Sequence, residues 1–121
     1  MAKLTEEAKR IIAEFGPALI ATASKAGKPN VSPKGSFRVL DDEHVVFANI
    51  ASPRTMANLK QNPQLTAIIF ERSTRKGCRV WGKAEVLGSG DLFDSISAEF
   101  TPMGMKVKQI VKVTVEEVAI F

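Results

Sequence analysis

The sequence predicts a mainly β fold in which six or more strands close into a small barrel, with one helix at the start and two short helices inserted. Three observations carry this. Short apolar segments of strand length recur along the 121 residues, separated by clusters of Gly, Pro, Asp, Asn and Ser. Two segments alternate strictly, with Val80, Gly82, Ala84 and Val86 on one face of the first and Val111, Val113 and Val115 on one face of the second. Only three stretches carry helical periodicity. Many short strands with few helices point to a barrel whose interior the valines fill. At this length the chain, residues 1–121, makes one domain.

Each element follows in order. Thr5 is the N-cap of a first helix with Glu6 and Glu7 in its first turn; Ala8, Ile11, Ile12 and Phe15 recur at helical spacing, and Gly16-Pro17 ends it. Ala18–Ser24 and Asn30–Leu40 read as the arms of a hairpin about Lys25–Lys28. Pro33 and Gly35 inside the second arm make it an edge or bent strand. After the turn Asp41–Glu43, His44–Asn49 returns as a third strand. A second helix begins at Pro53. Leu65–Glu71 is apolar on both faces, the pattern of a buried central strand. Cys78–Leu87 is the first alternating strand, and Asp91–Phe100 is a helix striped by Leu92, Ile96 and Phe100. Thr101–Met105 is a loop, and Val107–Glu116 is the last strand.

Composition excludes several classes. No apolar run approaches the roughly 20 residues of a membrane-spanning helix, and the first ten residues lack a signal peptide's apolar centre, so the cytoplasm is the expected location. One cysteine excludes an internal disulfide, one histidine argues against zinc, and the absence of tyrosine removes a common acid or base. A net charge of +4, with acidic and basic residues mixed, suits a small anionic ligand better than a nucleic-acid footprint.

The most informative stretch is Ala51–Pro63, ASPRTMANLKQNP. Ser52 suits the N-cap and Pro53 the first helical position, and Asn62-Pro63 stops the helix. Arg54 then stands in the first turn, where the helix dipole disfavours a cation unless an anion joins it. Backbone N–H groups, an arginine fork and the Thr55 hydroxyl together suit a phosphate. The alternative is a solvated Arg54 that points away.

The order of these motifs, with ATASKAGKPNVSPKGSFRVLDDEHVVFAN, ASPRTMANLKQNPQLTAIIFE and RVWGKAEVL following a helix, resembles the FMN-binding split-barrel proteins related to pyridoxamine 5'-phosphate oxidase. The resemblance covers nearly the whole chain, and its most specific part is the unit His44–Pro63. It implies a split β-barrel, a homodimer, and FMN held without covalent attachment in clefts between the subunits. The phosphate would lie on Ser52, Arg54 and Thr55. Ser32, Pro33, Lys34 and Gly35 match the bent strand beside the flavin ring, where Lys34 would stabilise negative charge on reduced flavin. Ala48, Asn49, Ile50 and Ala51 match the segment whose backbone contacts the flavin and its ribityl chain. Trp81, Met103, Met105 and Phe121 are candidates to reach a flavin across the dimer, against the plainer reading of half-buried barrel residues and gap fillers.

The implied function is that of a small flavin-dependent oxidoreductase or electron carrier with an unidentified redox partner. The isoalloxazine carries the redox chemistry, which accounts for the lack of a catalytic residue set. The chain is shorter than true pyridoxamine phosphate oxidases and lacks their basic substrate signature near the C-terminus, which argues against that reaction. Three alternatives stay open: a relative that binds haem or a deazaflavin, a basic β-barrel for single-stranded nucleic acid built on Arg79, Trp81 and Lys83, and a structural dimer that keeps the family fold without the cofactor. His44 and Asp41–Glu43 read as turn residues rather than ligands. Cys78 has basic neighbours but no partnering base.

Overall fold

A computed structural model describes residues 2–121. Among them the order is α1 (Glu6–Glu14), β1 (Ala18–Ala23), β2 (Pro29–Lys34), β3 (Arg38–Asp41), β4 (His44–Asn49), α2 (Pro53–Gln61), β5 (Gln64–Phe70), β6 (Gly77–Leu87), α3 (Asp91–Phe100), a short 3₁₀ turn (Thr101–Met103) and β7 (Gln109–Ile120). The strands form one antiparallel sheet in the order β2-β1-β5-β6-β7-β4-β3.

The predicted second hairpin arm, Asn30–Leu40, is two strands at opposite edges of that sheet. β2 pairs with β1 in full register, Ala18 opposite Lys34 and Ala23 opposite Pro29, whereas β3 pairs with β4. Only Gly35, Ser36 and Phe37 separate them. That link spans at most about 14 Å, so the two edges face each other and the sheet curls into a barrel split at this crossing. The bend read from Pro33 and Gly35 is therefore the point where the chain changes edges.

The interior is one apolar cluster. Ile20, Val45, Phe47, Ala67, Ile69, Val80, Val111, Val113 and Val115 point inward, and α1 adds Ala8, Ile11 and Ile12 while α2 adds Met56 and Leu59. Burying each of the larger side chains among them, the valines, isoleucines, leucine, methionine and phenylalanine, contributes about 1.5–3 kcal/mol. Inward alternation along β6 and β7 matches the sequence pattern. At Gly82 a Cβ would lie 2.5 Å from the Thr114 carbonyl oxygen and 2.5 Å from Val113 Cγ1, so glycine alone fits beside the bulge that separates Trp81 from Gly82.

Three expectations change. β5 does sit inside the sheet, between β1 and β6, but it alternates: Leu65, Ala67 and Ile69 are buried while Ile68 is half-buried and Phe70 exposed. The strand buried on both faces is β4, because α3 covers its outer side through Val46, Ala48, Ile96, Val107 and Ile110. The last strand runs to Ile120 rather than Glu116. Val118–Phe121 pairs with the start of β6, and Gly77 and Phe121 exchange backbone hydrogen bonds at 3.0 and 2.9 Å. Finally, the loop after α3 contains a 3₁₀ turn.

Candidate functional site

The α2 N-terminus is assembled from three strands. β4 ends at Asn49, and Ala51-Ser52 turns the chain into the helix. The first backbone bond of α2 runs from the Met56 N–H to the Ser52 carbonyl at 3.1 Å, and no side chain caps the helix. The N–H groups of Arg54 and Thr55 thus precede the helical ladder, aimed outward with the dipole. Ser52 occupies the N-cap position, but its hydroxyl does not cap, contrary to the sequence expectation. It donates instead to Asn49 Oδ1 at 2.6 Å and accepts from Lys34 Nζ at 2.6 Å, because the turn at Asn49 pulls it back toward β4. Asn49 Oδ1 also accepts the Ser52 N–H at 3.1 Å, and Asn49 Nδ2 donates to Gln109 Oε1 at 2.6 Å.

Three adjoining grooves wrap this terminus. One, of about 410 Å³, runs between β2 and the helix and is lined by Asn30, Ser32, Pro33, Lys34, Ala51, Ser52, Pro53 and Arg54. A second, of about 400 Å³, lies on the other side of Ala51–Pro53 and adds Asn49, Ile50, Lys60, Lys108 and Gln109. The third, of about 220 Å³, continues past Arg54 to Lys28 and Ser24. Five cations line them, Lys28, Lys34, Arg54, Lys60 and Lys108, and no carboxylate does. Three cations elsewhere do have carboxylate partners: Lys9 pairs with Asp42, Arg10 with Glu14, and Arg38 clasps Glu99 through two bonds of 2.6 Å. Lys34 is half-buried, and burial lowers its ammonium's pKa from the ordinary lysine value.

The profile of the pyridoxamine 5'-phosphate oxidase family matches residues 4–121. The chain belongs to the pyridoxamine 5'-phosphate oxidase family. Solved structures agree on the fold. A Lactobacillus delbrueckii protein described as a candidate pyridoxamine 5'-phosphate oxidase is 26% identical, with a TM-score of 0.84 over 97% of this chain and 93% of that one. HupZ from Group A Streptococcus is 24% identical, with a TM-score of 0.90 over 98% and 94% of the two chains. An FMN-binding protein from Syntrophomonas wolfei is 19% identical, with a TM-score of 0.85 over 95% and 84%. No protein of curated function matches the sequence. The seven-stranded sheet with three helices is thus the split barrel of the pyridoxamine 5'-phosphate oxidase family.

Within this family member, the predicted residues divide into walls and supports. Ser32, Pro33, Lys34, Asn49, Ile50, Ala51, Ser52 and Arg54 line the grooves. Thr55 is fully buried beneath them, its hydroxyl 2.9 Å from Ser32 Oγ and 3.5 Å from Asn30 Nδ2. Ala48 packs beneath α3, and its N–H donates to Ser36 Oγ at 2.9 Å. Asn30, Lys108 and Gln109 complete the site and were not singled out in the sequence. Asn30 carries a legible signal, a polar residue two before Ser32 on the same strand face. Gln109 carries none, since only strand pairing sets it opposite Asn49.

The other candidates stand apart. His44 opens β4 with Nδ1 2.7 Å from the Asp41 carboxylate, about 17 Å along the strand from Asn49. Cys78 is fully buried, and desolvation pushes its thiol up to about 11, so it is an inert core residue. Arg79 lies over the Phe121 ring at 5.1 Å, and Trp81 is half-buried on the outer barrel face. Met103 and Met105 are exposed. No group of three potential metal ligands occurs among the described residues.

Proposed function

We propose that this protein binds FMN and acts as a small flavin-dependent oxidoreductase or electron carrier. The observation that carries the reading is the carboxylate-free, cationic groove at an uncapped helix N-terminus. An arginine in the first helical turn, with no ion pair among the described residues and at an uncapped helix start, fits a phosphate of roughly −1.5 to −2 charges. Lys34 supports the same conclusion, since a half-buried ammonium whose hydrogen-bond acceptor is a hydroxyl gains from an anion placed nearby.

In this reading the Arg54 guanidinium and backbone N–H at the helix start hold the phosphate, with Thr55 beneath them. The Ala51–Ser52 turn and the Ser32–Lys34 wall of β2 admit the rest of the molecule, and Thr55 fixes Ser32 from beneath. Bound flavin supplies reversible one- or two-electron transfer. The side chains orient it, neutralise its anionic end and limit water.

The active species in this reading is a homodimer. The outer face of β2, β1, β5 and β6 is covered by no helix and exposes Val31 at 61%, Leu19 at 36% and Phe70 at 45%, with Ile68 and Trp81 half-buried among them. An uncovered apolar sheet face of this kind suits a second copy.

The first test is the visible spectrum of purified protein, then release and identification of any pigment. FMN released at about one per chain supports the reading. A different chromophore, or a colourless protein that takes up no added FMN, overturns it. Arg54→Ala should weaken FMN roughly 10- to 100-fold with the fold intact, as expected for losing hydrogen bonds to a charged group.

A further inference from the structure

The polar contacts around Ser52 form a chain with one direction. An ammonium only donates, so Lys34 Nζ gives a proton to Ser52 Oγ at 2.6 Å. The Ser52 hydroxyl proton must then point away from Lys34, and it goes to Asn49 Oδ1 at 2.6 Å. With its carbonyl committed to Ser52, Asn49 turns its amide Nδ2 toward Gln109 Oε1 at 2.6 Å. Asn49 and Ser52 are buried, at 4% and 8% exposure, so these bonds compete with little water. Each amide orientation in the chain is forced by the next.

This arrangement ties an edge strand to the sheet interior. β2 pairs only with β1, and its outer edge faces the split of the barrel. Lys34 is the last residue of β2, next to the Gly35–Phe37 crossing, and holding a flexible lysine there costs rotamer entropy. The hydrogen bond to Ser52 fixes the ammonium to α2, and Asn49 fixes Ser52 to β4 and β7. We infer that Asn49, braced by Gln109, is the positioning residue that holds the Lys34 ammonium in the groove through Ser52. The part that concerns flavin rests on the FMN reading, whereas the placing of Lys34 does not.

The charged groups that share cavity walls with Lys34 are Arg54 from α2, Arg38 from β3 and Glu14 from α1. Arg38 is clasped by Glu99 and Glu14 is paired with Arg10, and none of the three bonds Lys34, whose ammonium is held by the Ser52 hydroxyl.

The test compares Asn49→Ala, Gln109→Leu and Gln109→Glu in the full-length protein, the last keeping an acceptor for Asn49 Nδ2. Gln109 lies half-exposed on β7, so its variants remain informative if Asn49→Ala fails to fold. The first readout needs no cofactor: the pH profile of Lys34 acetylation by trace acetic anhydride, mapped by peptide mass and set against Lys25 and Lys28. Asn49→Ala and Gln109→Leu should move the Lys34 profile several-fold toward those exposed lysines, and Gln109→Glu should restore it. An unchanged Lys34 profile in both disrupting variants overturns the inference. The second readout is FMN affinity, which should fall about 3- to 10-fold in Asn49→Ala and Gln109→Leu. A shifted acetylation profile in protein that takes up no FMN supports the positioning chain and overturns the cofactor reading alone.

Discussion

The two nine-residue helices α1 and α2 are built alike in their cores and oppositely at their N-termini. Both send apolar residues into the barrel interior, Ile11 and Ile12 from one, Met56 and Leu59 from the other. In α1 the Thr5 hydroxyl accepts the Ala8 N–H at 3.1 Å, and Glu6 and Glu7 fill the first turn. In α2 nothing caps the terminus, no acidic residue stands in the first turn, and Arg54 does. α1 satisfies its own dipole, whereas α2 leaves its dipole and donors for a partner. On the proposed FMN reading, the contrast places function where local stability has been given up.

The sharpest way to break the comparison is to make α2 resemble α1. Arg54→Glu should cost about 100-fold or more in FMN affinity, because it removes a donor and sets a carboxylate beside the phosphate. The same change should raise stability by about 0.3–1 kcal/mol through the dipole. Titration with FMN and urea unfolding of the apoprotein measure the two effects. A variant that bound FMN normally would remove the phosphate from this helix.

The reciprocal change is Thr5→Ala, which deletes the cap of α1. It should destabilise the protein by about 1 kcal/mol, lower the melting midpoint by a few degrees, and leave FMN affinity unchanged. A loss of FMN binding comparable to that of Arg54→Ala would show that the two termini are not separable.

The smallest effect concerns pH. Asp42 pairs with Lys9 of α1, whose ammonium holds the Asp42 carboxyl below its usual value of 3.8. A carboxylate depressed on folding adds stability above the unfolded value, and loses it as pH falls through the lower folded value. Stability should therefore decline on acidification below about pH 4, with a weaker decline in Asp42→Asn, as followed by urea midpoints at several pH values. FMN affinity at neutral pH should not respond.

Much of the fold is legible because its signals are local. Strict alternation identifies β6 and the inner valines of β7, and Thr5 with Glu6 and Glu7 marks where α1 starts. Ser52 takes the N-cap position the sequence predicts, but its hydroxyl does not cap, for an instructive reason. A serine before proline is a cap by residue type, but Asn49 and Lys34 compete for its hydroxyl, and Lys34 lies 18 residues away. β5 and β4 exchanged roles for a similar reason. Both are apolar on two faces, and only the docking of α3 decides which outer face is covered.

The sequence by itself determined the β-rich class, most of the elements, the helix start that carries Arg54 and the family. Those follow from periodicities and neighbours a few residues apart, where steric and dipole effects act along the chain. The tertiary structure alone decided that Pro29–Lys34 and Arg38–Asp41 lie on opposite edges, that five cations share grooves without a carboxylate, and that Gln109 braces Asn49 from 60 residues away. Such pairings arise from barrel closure, which brings together side chains whose separation along the chain carries no periodic trace.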